Sequence, residues 1–377
     1  METRIIPEGF HPGEYLRDEI EARGWSPSDL AEILGYERNV ISDIFAGRRS
    51  ISPEFARALA DAFGTSAHLW LNLQSAYKLA TTTAVDDAIS RRARVYDMAP
   101  VREMQKRGWI ESTTAIDVLE NQICEFFEIS NMREEVAFAH SARKSDDYGV
   151  ISQSQLVWLI MARKMARLLA TKAKYEHEGL PTLLETLLSY RENPNESALI
   201  PDLLSQFGIR FLIVEELPRT KIDGACFWID RQSPVIVLSL RYDRIDYFWF
   251  SLLHELGHIW MRHGFENPLV ETSVIGEDAQ ASDKKPPEER KADEFATKHL
   301  IDQSALATFI RRQKPLFSKS SIVSFAHAQG VHPGIVLGQL HHRRVVPYAN
   351  LRSMLVAVRS IVTSTALTDG WGRTALT

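Results

Sequence analysis

A pentapeptide with the residue types of a catalytic metal site occupies positions 254–258, which read His-Glu-Leu-Gly-His. On a helix, the four-residue spacing places His254 and His258 one turn apart on one face, where both imidazoles can reach one metal ion. Glu255 lies about 100° around the helix from His254, which suits a carboxylate that contacts a water rather than the metal. These residues predict zinc-dependent hydrolysis of a peptide bond, in which Glu255 moves a proton from the attacking water to the leaving amine.

A catalytic zinc ion needs a third protein ligand, and acids that follow the pentapeptide are candidates. Glu289 and Asp293 are again four residues apart in a segment with helical character. One carboxylate can ligate the metal while the other accepts the remaining N–H of a ligating histidine. Glu288 is an alternative third ligand. The alternative to the whole site is a helix whose two histidines are buried structural residues without a metal.

Other residues of the metal-binding types form no second motif. Cys124 and Cys226 lie far apart with no CxxC spacing, so neither a disulfide framework nor a thiolate site is predicted. Four further histidines of the C-terminal half are expected to be solvated rather than functional: His263, His299, His341 and His342.

The sheet that must lie beside the pentapeptide is predicted after Gly208, where the hydrophobic period changes. Three short runs rich in β-branched and aromatic residues predict strands: 209–214, 225–229 and 235–238. Their boundaries are interpreted as turns at Pro218, Asp223-Gly224 and Pro234.

The pentapeptide itself lies in a strongly apolar segment that predicts a helix over 244–262. Gly257 is expected to let another element approach this helix closely. The polar stretch 265–287 predicts a loop, after which helices resume at residue 288 and again near residues 319 and 333.

A different set of elements fills the N-terminal part, where five short helices are predicted in about seventy residues. Ser26, Pro27 and Asp29 form an N-cap, a first-turn proline and a capping acid for a helix over 27–34. A second helix is predicted over 38–46, with a polar face. Further helices start at Ser52-Pro53 and at Ser66.

At 377 residues the chain exceeds what one hydrophobic core supports, so several domains are expected. The predicted fold is α+β and predominantly helical. The expected divisions are a five-helix domain at 1–83, a helical linker or dimerisation region at 84–204, a domain with a small sheet and the pentapeptide helix at 205–361, and a flexible tail at 362–377.

Composition limits the functional classes. The hydrophobic fraction of 45% and charged fraction of 25% are those of a globular protein. A net charge of −5 argues against a generic polyanion binder, and the first 80 residues hold eight basic and twelve acidic side chains. With no signal-peptide pattern and no apolar run of membrane-spanning length, we expect a cytoplasmic protein with no membrane partner.

Two sets of motifs carry a resemblance to known families. Residues 11–78 resemble the XRE-type helix-turn-helix of HigA-like antitoxins, through the segments 28–31, 47–53 and 70–74. Residues 205–350 resemble the ImmA/IrrE family of zinc metallopeptidases, through 254–258, 289–296 and 332–336. Lys291 departs from that family's pattern, where an acid is common, and residues 84–204 match neither set.

The resemblance to the peptidase family implies that Glu289 is the third zinc ligand, with Asp293 matching the position after the alanine. Family members resemble each other in cleaving a cytoplasmic repressor in response to stress or mobile-element signals. We therefore expect a transcriptional regulator whose zinc endopeptidase domain performs limited proteolysis of a partner regulator or of itself. The alternative is a non-enzymatic antitoxin-like repressor whose zinc domain senses a ligand or a toxin.

The helix-turn-helix resemblance implies a double-stranded DNA operator as partner, bound by a homodimer on a palindrome. In such a motif the second helix enters the major groove with its first residues facing the bases. The residues expected to read sequence are Arg38, Asn39, Ser42 and Asp43, and those expected to contact phosphate are Arg48 and Arg49. Use of the motif for protein contacts alone is the alternative.

Overall fold

The computed structural model describes residues 10–82, 87–134, 136, 151–265, 269–272 and 285–371, the stretch 269–272 by its backbone only. The chain forms two compact units, Met1–Ile89 and Ser90–Thr377. Helices dominate both, and the second unit also holds a small sheet. The expected α+β class with predominant helix is therefore confirmed.

The first unit consists of five short helices around one apolar core, as the sequence predicts. They are α1 (Pro12–Glu21), α2 (Pro27–Leu34), α3 (Arg38–Phe45), α4 (Pro53–Phe63) and α5 (Ala67–Thr81). Their apolar faces bury Leu16, Leu30, Ile41, Leu59 and Trp70 completely. This core holds α2 and α3 together as a helix pair.

The boundaries of α2 follow from local chemistry. The Ser26 hydroxyl accepts from the Asp29 N–H, and the Asp29 carboxylate accepts from the Ser26 N–H at 2.7 Å, which completes the predicted capping box. Gly35 ends the helix in the left-handed conformation that glycine adopts without strain. The turn that follows directs the chain into α3.

The second unit begins within a helix at Ala88–Met98, named α6. Its further helices are α7 (Val101–Lys106), α8 (Ile116–Phe127), α9 (Gln153–Leu168), α10 (Leu180–Ser189), α11 (Ile200–Gln206), α12 (Ile245–Trp260), α13 (Pro287–Leu300), α14 (Gln303–Gln313), α15 (Lys319–Ala328), α16 (Pro333–His342) and α17 (Arg359–Val362). Short 3₁₀ turns occur at His177–Gly179, Pro194–Leu199 and Arg352–Met354. Across the described ranges, no helix combines the length and apolarity needed to cross a bilayer.

A five-stranded sheet supports the helices of the second unit. The strands are β1 (Arg210–Ile213), β2 (Ile222–Trp228), β3 (Pro234–Leu238), β4 (Leu269–Thr272) and β5 (Leu367–Thr368). Their order is β4-β2-β3-β1-β5, with β1 parallel to β3 and β5, and β2 antiparallel to β3 and β4. The first three match the predicted strands.

Helix α12 lies at the centre of this unit. It packs on β2 and β3 from one side and on α13 and α16 from others. Trp249, Leu252, Leu253 and Leu256 are completely buried. Buried residues occur on every side of this helix, because the sheet and its neighbouring helices surround it.

Helices from the region 84–204 share the core of this second unit. Leu183 and Leu187 of α10 and Leu204 of α11 belong to the same apolar cluster as the sheet and α12. On α9, the buried Trp158 indole donates to the Val214 carbonyl at 3.0 Å. The role of the region as a linker or dimerisation element stays a prediction, but these helices contribute packing that supports the sheet.

Two expectations about loops are wrong in part. Asp223 and Gly224 were expected to form a turn, yet both lie inside β2, where the register against β4 shifts between Ile222 and Gly224. Such a bulge re-aims neighbouring side chains without ending the strand. The loop expected over 265–287 falls mostly outside the described residues, and within it β4 pairs with β2.

The expected flexible tail from residue 362 is wrong as far as Trp371. Strand β5 pairs with β1, Val362 and Ala366 are completely buried, and Asp369 lies 3.5 Å from Arg107. The small polar residues of this segment suggested a solvated chain, but the exposed edge of β1 offers backbone partners that the local sequence does not reveal. The last residues, 372–377, lie outside the described part.

Arg107 joins the C-terminal segment to the rest of the unit. Its guanidinium donates to the carbonyls of Glu215 and Glu216 at 2.8 and 2.6 Å. It also lies over the rings of Trp109 and Trp371, 5.2 Å from each centroid. Because both side chains of the Arg107–Asp369 pair are almost fully buried, ionisation of Asp369 takes place away from water.

This burial predicts a pH-dependent stability. It raises the pKa of Asp369 to about 6, although Arg107 opposes the shift. The folded state therefore holds the proton more tightly than the unfolded chain, so the stabilising contribution is present below about pH 4 and is lost as pH rises through about 6. Relative to wild type, Asp369→Asn should gain about 2 kcal/mol in free energy of unfolding between about pH 4.5 and about pH 7.5.

Urea unfolding at a series of pH values measures this difference. Asp97→Asn is the control, since Asp97 is exposed on α6. A constant difference between Asp369→Asn and wild type over the whole range would contradict the prediction.

Candidate metal centre and nucleic-acid interface

The two histidines of the pentapeptide lie together inside the second unit. Helix α12 carries both, and their exposed fractions are 1% for His254 and 0% for His258. The two Nε2 atoms are 3.1 Å apart. Helical spacing thus places two nitrogen donors at one buried point, as the sequence predicts from the period alone.

Helix α13 supplies an oxygen donor to the same point. Glu289 is 3% exposed, and its Oε2 lies 3.1 Å from Nε2 of His254 and 3.5 Å from Nε2 of His258. Glu288, the alternative ligand, is exposed at the start of the same helix. The geometry therefore places Glu289, and not Glu288, with the histidines.

These three donors fit a zinc ion by chemistry and by spacing. Two imidazoles and one carboxylate are a common set for catalytic zinc. Ligands about 2.1 Å from a tetrahedral ion are separated from each other by roughly 3.4 Å. The three separations of 3.1, 3.1 and 3.5 Å are close to that value.

Asp293 lies behind His254, on the side away from the donor cluster. Its Oδ1 is 3.0 Å from His254 Nδ1, while its Oδ2 accepts from Lys285 Nζ at 2.7 Å. The carboxylate therefore lies where it can accept a hydrogen bond from Nδ1–H, which leaves the Nε2 lone pair directed at the other donors. This is the arrangement that the four-residue spacing of Glu289 and Asp293 predicts.

Glu255 lies beside the cluster without joining it. Its side chain is 1% exposed, and within the described residues its Oε2 has no hydrogen-bond partner. A β-carbon added to Gly224 of β2 would lie 2.5 Å from its Oε1. Gly224 therefore leaves the space that this carboxylate occupies, and an unsatisfied buried oxygen is available for a water or a substrate.

Burial and mutual charge determine the protonation of these groups. Burial raises the pKa of Glu255 to about 8, with further contributions from Glu289 and Asp223 and an opposing one from His254. Burial also disfavours protonated His254, but the adjacent Asp293 and Glu289 raise its pKa to about 9. Glu289 has its pKa lowered by the two histidines despite its burial. An ionised Glu289 is the state that binds a cation.

The close packing of α13 on α12 depends on Gly257. A β-carbon there would lie 3.1–3.2 Å from three atoms of the Phe295 side chain. The expectation that Gly257 admits another element is confirmed, and that element is the helix that carries Glu289.

Sequence reasoning missed three contributors to the site: Gly224, Lys285 and His263. His263 was expected to be solvated, but its Nδ1 lies 3.2 Å from Nδ1 of His258. The expectation is also wrong for His341, which is completely buried. Of these three, only Gly224 belongs to a recognisable sequence pattern, the Asp-Gly pair at 223–224, and that pair more often indicates a turn than a bulge within a strand.

In the first unit, the residues expected to contact DNA lie on α3 and just after it. Arg38, Asn39 and Ser42 are exposed along α3, and Arg48 and Arg49 are exposed in the turn that follows. Asn39 donates to Glu37 at 3.1 Å. The first turn of α3 thus presents polar side chains to solvent.

Asp43 differs from the other expected base-contacting residues because it is ion-paired. Its Oδ1 accepts from Nε of Arg48 at 2.9 Å, and its backbone carbonyl accepts from the N–H groups of Arg48 and Arg49. This pair ties the turn to the end of α3. A phosphate that approaches Arg48 therefore has to compete with the Asp43 carboxylate.

Comparison with known proteins divides the chain in the same way. Residues 13–71 match the family described as a helix-turn-helix domain, and residues 204–331 match the peptidase family described as an IrrE N-terminal-like domain.

Individual relatives match a smaller part of the chain. Virulence-associated protein I of Dichelobacter nodosus is 40% identical over 71 residues, which are 19% of this chain and 66% of that protein. An uncharacterized HTH-type transcriptional regulator of Haemophilus influenzae is 42% identical over 64 residues, which are 17% of this chain and 60% of that protein. This chain therefore spans less than two thirds of the length of both relatives.

Among solved structures, the Pseudomonas aeruginosa antitoxin HigA with the higBA promoter is 37% identical. The match covers 25% of this chain and 98% of that one, with a TM-score of 0.20.

The donor geometry predicts which of two adjacent glutamates binds metal. Glu289→Gln should weaken zinc affinity by more than the roughly 10- to 100-fold that loss of an outer partner costs, because a donor atom is removed. Glu288→Gln, one position away on an exposed surface, should keep wild-type affinity. Zinc content after dialysis, with affinity from chelator competition, measures both. Equal losses in the two variants would contradict the assignment of Glu289.

Proposed function

Because the chain belongs to the helix-turn-helix regulators through residues 13–71 and carries an IrrE N-terminal-like domain at 204–331, we propose that it is a DNA-binding transcriptional regulator with a zinc-dependent endopeptidase unit. It performs limited proteolysis of a partner regulator or of itself. The observation that carries this proposal is the convergence of His254, His258 and Glu289 beside the buried carboxylate of Glu255.

In this proposal His254, His258 and Glu289 hold the ion, and Asp293 fixes the orientation of His254. Zinc, when bound, supplies a water of lowered pKa, about 7, and polarises the carbonyl of the scissile peptide. Glu255 accepts the proton of the attacking water at its free oxygen. It then donates that proton to the amine nitrogen, so the C–N bond breaks with a neutral leaving group.

The surroundings of Glu255 suit this proton transfer. A general base works best when its pKa is near the operating pH, and burial raises the pKa of Glu255 from its ordinary value to about 8. Gly224 keeps a side chain out of the space beside it. The carboxylate can thus exchange a proton without moving far.

For the first unit, we propose that α3 enters the major groove of an operator as part of a homodimer. Arg38, Asn39 and Ser42 face the bases, and Arg49 contacts a phosphate. The acidic balance of the first 80 residues weakens the sequence-independent attraction to DNA. A dimer on a palindrome doubles the contacts and compensates for this weakness. A regulator of this kind acts in the cytoplasm, where the DNA is.

The peptidase proposal predicts a specific loss in Glu255→Gln. The substitution keeps the shape of the side chain but removes the proton acceptor, so cleavage should fall by at least about 100-fold. Zinc content should stay at the wild-type value, because Glu255 does not lie among the donors, and the unfolding temperature should not fall, because a buried ionisable group is removed. The measurement is mass spectrometry of the zinc-loaded protein alone and with the regulators encoded by neighbouring genes.

Glu288→Gln is the matched control and should cleave like wild type. Undiminished cleavage by Glu255→Gln would contradict the proposed role. A wild-type protein that binds zinc and cuts neither itself nor any neighbouring regulator would instead favour a non-enzymatic repressor whose zinc domain senses a ligand or a toxin.

The ion pair in the first unit predicts a gain in DNA binding for Asp43→Asn. Loss of the carboxylate releases Arg48 to contact phosphate, and each added contact steepens the dependence of log K on log salt by about 0.9. Arg49→Ala removes one such contact from each protomer, so for the proposed dimer it should make the same slope shallower by about 1.8, twice 0.9. Fluorescence anisotropy with a duplex of mixed sequence at several salt concentrations measures both slopes. An unchanged slope in Asp43→Asn would show that Arg48 contacts phosphate while still paired.

A further inference from the structure

A lysine ammonium lies next to the candidate metal centre, where no sequence motif predicts one. Lys285 has a side chain that is only 10% exposed, and its Nζ lies 2.7 Å from Oδ2 of Asp293. Lysine is seldom buried unless a charge partner compensates for the loss of water. Asp293 is that partner here.

The two oxygens of Asp293 serve different neighbours. Oδ2 accepts from Lys285, while Oδ1 lies 3.0 Å from Nδ1 of His254, whose Nε2 is one of the converging donors. A carboxylate rotates easily about its Cβ–Cγ bond, because that torsion has broad minima. Anchoring Oδ2 therefore fixes the plane of the group and keeps Oδ1 directed at His254.

The backbone holds Lys285 in place for this task. Pro286 and Pro287 follow it, and α13 begins at Pro287; a residue before proline is restricted to extended conformations. The lysine is thus joined with little freedom to the helix that carries Glu289 and Asp293.

The position is unfavourable for a lysine on local grounds. A positive charge at the N-terminal end of a helix is opposed by the helix dipole, and acids are preferred there. An ammonium also cannot ligate a metal, since it has no lone pair. A residue that breaks a local rule beside a cluster of donors is typical of a functional site.

We propose that Lys285 is a positioning residue of the metal centre, which raises the affinity for zinc by holding Asp293 in the orientation that bonds His254. This inference rests on the zinc site of the proposed function. In this arrangement Lys285 orients Asp293, Asp293 orients His254, and His254 binds the ion.

Zinc affinity of the full chain, measured by competition with a chromogenic chelator, tests this role without any peptide substrate. Lys285→Met should weaken zinc binding by about tenfold, the lower range for loss of an outer partner. Lys285→Arg, which keeps the charge and the donors, should stay within about threefold of wild type. Lys291→Met is the control, since Lys291 is exposed on α13. This variant should bind zinc like wild type.

A double-mutant cycle with Asp293→Asn separates positioning from a general structural effect. If Lys285 acts through Asp293, Lys285→Met should add no further loss in the Asp293→Asn background. Lys285→Gln is measured in parallel, and circular dichroism checks the fold of both variants. If one variant is misfolded, the zinc affinity of the other tests the inference.

Three results would overturn the inference. They are an affinity of Lys285→Met and Lys285→Gln within about twofold of wild type, additive losses in the cycle, and an equal loss in Lys291→Met. If wild type binds no zinc, the metal centre itself is wrong, which distinguishes failure of the proposed function from failure of this inference alone.

Discussion

Four ionisable side chains of the candidate metal centre lie buried inside the second unit, and this burial is the constraint on which the site depends. His254, Glu255, His258 and Glu289 are all at most 3% exposed. Removing an ion from water costs several kcal/mol, and removing two neighbouring carboxylates costs more because they repel each other. A divalent cation between Glu289 and the histidines would offset that cost. Without one, protons shared among the histidines and acids must do so, which explains the shifted pKa values of the cluster.

That constraint shapes the packing around α12. The helix carries most of these buried groups, and a strand and a second helix approach it closely. Gly224 makes the approach of β2 compatible with Glu255, and Gly257 makes the approach of α13 compatible with the Phe295 ring. A methyl group at Gly224 would displace the Glu255 carboxylate, and one at Gly257 would require the Phe295 side chain to shift by a few tenths of an ångström. The glycines thus belong to the metal centre although neither can bind a metal.

The sequence predicts those parts of the site that depend on helical period. The spacing of His254 and His258, and of Glu289 and Asp293, places each pair on one helix face whatever the tertiary structure. The spacing from Asp293 favours Glu289 but leaves Glu288 as an alternative, and the resemblance also implies Glu289. Both glutamates lie in the first turn of one helix, and only the direction of approach to α12 separates them. Gly224 could not be predicted, because it acts on Glu255 from an element distant in sequence. His263 and Lys285 contact residues close in sequence, but both lie outside the helices, beyond the end of α12 and before the start of α13, where the helical period does not fix their positions.

The same distinction between local signals and tertiary contacts explains where the predicted fold was wrong. Local signals fixed the five N-terminal helices through caps, prolines and glycines, and the three central strands through their apolar runs. Strand β5 and the bulge at Asp223 depend on a partner strand, which local sequence does not specify. The buried Arg107–Asp369 pair likewise joins residues far apart in the chain. Because local sequence does not reveal that pairing, the small polar residues of the C-terminal segment predicted a flexible tail.

The charge of the first unit bears on how a tethered peptidase would be used. Excess acid in the first 80 residues and the pairing of Arg48 with Asp43 both reduce the attraction that any DNA exerts on this unit. Specific contacts of α3 would then supply most of the affinity, so the protein would reside at its operator rather than along the chromosome. A peptidase joined to such a unit has a high effective concentration towards regulators bound at the same operator. Weak general attraction to DNA would thus direct proteolysis to the regulators at one site.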